Sequence, residues 1–115
     1  MNAETAAPVQ AFCPRYHHAV ELLGGRWTGA IVRALLSGKT RFTDVAHAIP
    51  GLSDRMLSER LKELESEGVV ERCVIPETPV RVEYRLTEKG RGLAGAVEAI
   101  SAWAEEWLPA GAEQG

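Results

Sequence analysis

Residues 42–87 read FTDVAHAIPGLSDRMLSERLKELESEGVVERCVIPETPVRVEYRLT, and this stretch decides the fold. Phe42, Val45, Ala46 and Ile49 recur at helical spacing over a short segment. Pro50-Gly51 breaks that helix, because proline cannot continue its hydrogen-bond ladder. Ser53 is placed to cap a second helix by accepting from an unpaired main-chain N–H. Leu57, Leu61 and Leu64 form the buried stripe of that helix, and Gly68 ends it. The period then changes from 3.6 to 2. Val69 to Ile75 is rich in β-formers, and Val80, Val82, Tyr84 and Leu86 alternate with Arg81, Glu83 and Arg85 as in a half-buried strand. Pro76-Glu77-Thr78-Pro79 reads as the hairpin tip joining the two strands. A short helix, a tight turn, a capped helix and a hairpin make a helix-turn-helix with a wing.

The flanks extend this unit. Upstream, Cys13-Pro14 opens a helix, with proline at the first helical position, and Gly24-Gly25 stops it. A further helix is expected from about Arg26 to Leu36, with Trp27, Ile31, Ala34 and Leu35 on one face. Lys39-Thr40-Arg41 is a short extended connector. Downstream, Thr87 caps one last helix that carries Leu93, Val97, Ile100, Ala104 and Trp107 and ends near Pro109. The expected architecture is mainly α with a small β-hairpin, a winged helix-turn-helix with an added C-terminal dimerisation helix. Residues 1–12 are expected as a flexible arm, 13–108 as the domain with its terminal helices, and 109–115 as a disordered tail.

Charge distribution bears on the partner. The whole chain of 115 residues carries a net charge of −3. Between Arg26 and Arg91, however, twelve basic side chains face ten acidic ones, a net +2, while Arg15 and six glutamates outside leave −5. The acidic excess therefore lies at the two ends, and the middle remains compatible with phosphate. No apolar run approaches the roughly 20 residues of a membrane span. The start, Met-Asn-Ala-Glu-Thr-Ala-Ala, lacks an apolar signal core, so a cytoplasmic location with no membrane partner is expected. Cys13 and Cys73 are accordingly expected as free thiols. No nucleophile motif, Gly-rich phosphate loop or metal-ligand spacing occurs, so an enzyme, a cofactor and a metal are not expected. Cys13 and His17 could share a helix face, but two ligands do not close a tetrahedral site.

With Leu57, Leu61 and Leu64 turned to the core, Arg55, Glu59, Lys62 and Ser66 point away from it. A helix in the major groove reads base edges with its N-terminal half, and a wing follows the backbone or an adjacent minor groove. Candidate DNA contacts are Ser53, Arg55, Met56 and Ser58 at the start of the helix. Arg60 and Lys62 are candidates for phosphates, Arg81 for the wing, and Lys39 and Arg41 for backbone just ahead of the helix-turn-helix. The blander reading is an amphipathic helix with a solvated face, which Glu59, Glu63, Glu65 and Glu67 favour, being repelled by phosphate. In that case the winged helix would serve protein–protein assembly, without specific DNA binding.

The terminal helices present a second constellation. Tyr16, Val20 and Leu23 on the first, with Ile100, Trp103 and Trp107 on the last, exceed what one small domain can cover and mark a dimer interface.

Cys13-Pro14, Gly25-Arg26-Trp27, Arg41-Phe42, Pro50-Gly51-Leu52-Ser53, Leu57, Arg60-Leu61, Leu64, Glu67-Gly68, Pro79, Val82-Glu83-Tyr84, Leu86-Thr87 and Gly90 together resemble the pattern of the HxlR-type regulators, from Cys13 to about Trp107. The chain departs from it at Arg26, where lysine is usual, and keeps the usual positive charge at Arg55. The resemblance implies a winged-helix homodimer, joined by its terminal helices, on a pseudo-palindromic double-stranded DNA operator. It also implies a small-molecule or electrophile effector, because some members sense quinones, aldehydes or oxidants through a cysteine at the position of Cys13. That cysteine opens a helix, where dipole and free N–H groups favour negative charge. The alternative is an unreactive small cap residue. Cys73, on a strand with Glu71 and Ile75, reads as a packing residue.

Overall fold

The computed structural model describes residues 9–110, which include Val9–Phe12 of the expected arm and Pro109 and Ala110 of the expected tail; the rest of both segments lies outside the described residues. Among the described residues, six helices and one hairpin follow the order α1 (Pro14–Gly24), α2 (Thr28–Leu36), α3 (Phe42–Ala48), α4 (Asp54–Ser66), β1 (Val70–Ile75), β2 (Arg81–Leu86), α5 (Glu88–Arg91) and α6 (Ala94–Trp107).

The helix-turn-helix is α3, the turn 49–53 and α4. Gly51 takes φ +86° in the turn, where a side chain would be strained and would also meet the Trp27 ring. Ser53 caps α4 as expected, its hydroxyl accepting from the Met56 N–H at 3.1 Å. Leu57, Leu61 and Leu64 of α4 are buried with Ile31, Val32 and Leu35 of α2, Val45 of α3, and Val69 and Val70 at the start of the hairpin. This cluster is the core, and it fixes the outward face of α4.

The strands pair antiparallel, Val70 opposite Leu86 through Ile75 opposite Arg81. The connector before α3 joins as a third, one-residue edge. Arg41 bridges Glu83, and the Tyr84 N–H donates to the Thr40 carbonyl at 2.8 Å. The hairpin is thereby fastened to the segment that leads into the helix-turn-helix.

Three expectations are corrected. First, α2 begins at Thr28 and not at Arg26, because Trp27 sits in the left-handed region at φ 77°. That conformation is unusual for a bulky side chain, costs roughly 1–3 kcal/mol and needs its surroundings to hold it. Second, the single last helix is two. Thr87 caps only the four-residue α5, accepting from the Gly90 N–H at 3.1 Å, and the chain re-aims at Gly92-Leu93 into α6. The four-residue α5 packs closely on the hairpin, since a Cβ at Gly90 would collide with the Val69 carbonyl oxygen. Third, strict alternation fails in the wing. Val80 is exposed and precedes the strand, while Glu83, expected on the solvated face, is only 8% exposed.

No residue of α1 or α6 is buried. Leu23 and Val97 pack partly against the core, but Tyr16, Val20, Ile100, Trp103 and Trp107 remain exposed. Among the described residues, no helix is long and apolar enough to cross a membrane.

Candidate nucleic-acid interface

The outward face of α4 begins with Arg55, whose side chain is 90% exposed and loosely paired with Glu59, one turn on, at 3.4 Å. An exposed pair of this kind is worth at most about 0.5 kcal/mol, so the guanidinium is available to a partner. Ser58 lies beside it half-buried, and Lys62 is exposed one turn beyond Ser58. Lys39 and Arg41 are exposed on the connector.

Other candidates are already engaged. The Ser53 hydroxyl accepts the cap bond and keeps only its own proton to donate. Met56 is turned partly inward and packs against the core, which sets it apart from a base-reading side chain. Arg60 was expected at phosphate, but its side chain is 19% exposed. Its Nε donates to the Arg26 carbonyl at 2.9 Å and its Nη1 to Glu63 at 2.9 Å. It braces the turn before α2 and is not a free cation.

The wing carries a charge network that the sequence reading did not find. Arg81 Nε donates to Glu83 at 3.0 Å and its Nη1 to Glu77 at 3.1 Å. Arg85 donates to the other Glu83 oxygen from Nε at 3.1 Å and Nη2 at 2.6 Å. The bonded Arg85 guanidinium holds the Glu83 carboxyl below its ordinary value, against the opposing effect of burial, and Arg81 adds to the lowering. Glu83 in turn raises Arg85. The signal was present: Arg81, Glu83 and Arg85 are two apart in a strand and must share a face.

Cys13 is exposed, is the N-cap residue of α1 and makes no side-chain cap bond. Val9 to Phe12, with Tyr16, His17 and Val20, line an open cleft around it, and the Phe12 and His17 rings are 5.4 Å apart. His18, on the same helix, bonds Glu67 just past α4 at 3.0 Å. Cys73 is half-buried and also free. Among the described residues no three His, Cys, Asp or Glu side chains converge as metal ligands would.

Residues 22–112 match the family described as HxlR-like helix-turn-helix. YvaP, an uncharacterized HTH-type transcriptional regulator of Bacillus subtilis strain 168, is 58% identical over 96 residues, covering 84% of this chain and 89% of its own. The HTH-type transcriptional regulator YodB of the same strain is 48% identical over 99 residues, 86% of this chain and 88% of its own. The reduced form of YodB aligns with a TM-score of 0.76 at 47% identity, over 84% of this chain and 95% of that one. Quinone-bound YodB aligns at 0.72 and 43% identity, over 84% and 100%.

Proposed function

The chain belongs to the HxlR-like helix-turn-helix family of transcriptional regulators, and from that premise we propose that it binds a pseudo-palindromic operator as a homodimer and is switched by thiol-reactive chemistry at Cys13. The observation that carries the DNA reading is the two-sided character of α4. Its inner face is locked by Leu57, Leu61 and Leu64, and its outer face offers Arg55, Ser58 and Lys62 beside a wing. A two-fold axis through the terminal helices would set two such helices about 34 Å apart, one DNA turn. Arg55 reads a base edge, Lys62, Lys39 and Arg41 meet phosphates, and Arg81 meets backbone or minor groove at the wing.

The switching reading rests on an exposed thiol at the start of a helix with no buried residue and on YodB, a relative solved in quinone-bound form. Modification of Cys13 at the interface between subunits would rotate one recognition helix against the other, and fixed half-site spacing tolerates little of that.

The test is selection of binding sites from random DNA, followed by fluorescence anisotropy at several salt concentrations. Arg55→Ala should lose about 1–3 kcal/mol on the selected site and relax specificity at one base pair. Arg81→Ala should weaken all sequences evenly and reduce the salt slope by about 0.9. A wild-type protein without salt-dependent DNA binding would overturn the reading in favour of a protein–protein assembly module.

A further inference from the structure

Glu83 is the one charged side chain among the described residues that is buried, and it is buried in an unexpected place. It lies in the middle of β2, with Cys73 opposite on β1 and Arg41 opposite on the connector. Residues facing each other across antiparallel strands, and residues two apart along one strand, share a face. Arg41, Arg81 and Arg85 therefore all stand on the face of Glu83. The other face carries Tyr84 and Leu86 and packs on the core. Glu83 is thus covered by arginines and not by the hydrophobic interior.

Both of its oxygens are used, one by Arg81 Nε and the other by Arg85 Nε and Nη2. Glu77, at the wing tip, takes Arg81 Nη1. Among the described residues, Arg81 Nη2 has no partner and is the edge of the fork left for an outside acceptor. A carboxylate in a wing that meets DNA is repelled by phosphate, and a neutral residue would avoid that cost. A long arginine on an exposed strand, however, samples many rotamers and loses that freedom on binding.

We propose that Glu83 is a positioning residue for DNA: it fixes Arg81 and Arg85 in a pre-set orientation toward the phosphate backbone, and this outweighs its own repulsion. Glu77 plays the opposite part, as an exposed competitor that phosphate displaces from Arg81. The inference rests on the reading that Arg81 contacts DNA.

Charge and positioning predict opposite signs, which makes the test sharp. Glu83→Gln removes one negative charge while keeping shape and one acceptor oxygen. Binding is read by anisotropy on the selected operator and on a random duplex of about three helical turns. Charge alone would tighten binding to both. Positioning predicts about 3–10-fold weaker binding, with a shallower salt slope. Glu77→Gln should tighten binding. In an Arg81→Ala background the loss caused by Glu83→Gln should shrink or reverse, because its main client is gone. Equal or tighter binding by Glu83→Gln overturns the proposal. So does an undiminished loss in the Arg81→Ala background, which would mean damage to the fold. Arg81→Ala binding as wild type does would instead overturn the DNA contact on which it rests.

Discussion

Arg60 Nε donates to the main-chain carbonyl of Arg26 across 2.9 Å, tying the middle of α4 to the turn between α1 and α2. The bond ends on the residue before Trp27, the one non-glycine at positive φ among the described residues. The Trp27 ring in turn lies against Gly51 of the helix-turn-helix turn. Arg60 thus helps hold the turn in which the strained Trp27 caps α2. Arg60→Ala should lower stability by about 1.5–3 kcal/mol, the range for a charge-assisted bond. For a domain of this size each kcal/mol is roughly 4–8 °C in melting temperature. The salt slope of DNA binding should stay unchanged. Lys62→Ala should do the reverse, leaving melting alone and reducing the slope by about 0.9. Thermal melts and salt-titrated anisotropy on both variants decide whether Arg60 is a brace or a phosphate contact.

Acid should weaken the wing network in a defined direction. The Glu83 carboxyl is held below its ordinary value, first by its bond to Arg85. A carboxylate with a depressed folded-state value contributes stability above the unfolded value and loses it as pH falls through the folded one. The melting temperature of wild type should therefore exceed that of Glu83→Gln at neutral pH. The gap should close as pH drops below the ordinary carboxylate range, and the arginine partners give no reason for change on the alkaline side below their own titration. A gap that is constant down to strongly acidic pH would mean that the ion pairs add nothing to stability.

The helix-turn-helix was legible because its signals are local. Pro50-Gly51 forbids continuation, Ser53 supplies an acceptor, and three leucines at helical spacing need only one core to face. The wing strands were legible for the same reason. What escaped depends on residues distant in sequence. Arg60 read as a free cation because its acceptor, the Arg26 carbonyl, lies 34 residues upstream. The close approach of Gly90 in α5 to Val69 is likewise a contact that no periodicity announces. Glu83 looked solvated because alternation states which face a side chain takes, not what covers that face.

The terminal helices should hold the dimer. Trp107 is 64% exposed, Ile100 61% and Trp103 58%, on a helix with no buried residue. An exposed apolar face of this kind is expected at an interface. Trp107→Asp would place a charge in it, and a desolvated unpaired carboxylate costs several kcal/mol. Light scattering at micromolar concentration should show a dimer for wild type and a shift toward monomer for the variant. The monomer should keep its helical circular dichroism, because the core of α2 to β1 does not include Trp107. Wild type that scatters as a monomer, or a variant that remains a dimer, would remove the interface from these helices.

Cys13 should make DNA binding sensitive to electrophiles. The thiol is exposed, so a quinone can reach it. Its sulfur adds to a ring carbon, the thiol proton passes to one ring oxygen and the hydrogen of the attacked carbon to the other, and a hydroquinone thioether results without any further reactant. The adduct would occupy the cleft formed by Val9 to Phe12 with Tyr16, His17 and Val20, on the helix proposed to join the subunits. An oxidant such as diamide offers a second route: two thiols lose two hydrogens to diamide and form a disulfide. Between the Cys13 residues of two subunits that requires Cα atoms within about 7 Å, so an intersubunit bond would report their proximity directly. The experiment treats the operator complex with benzoquinone or with diamide and follows anisotropy, with mass spectrometry and non-reducing gels identifying the product. Wild type should release DNA, Cys13→Ser should retain it, and Cys73→Ser should behave as wild type. Equal release by wild type and Cys13→Ser would move sensing away from Cys13. Modification of Cys13 without release would leave it a cap residue whose chemistry the recognition helices do not feel.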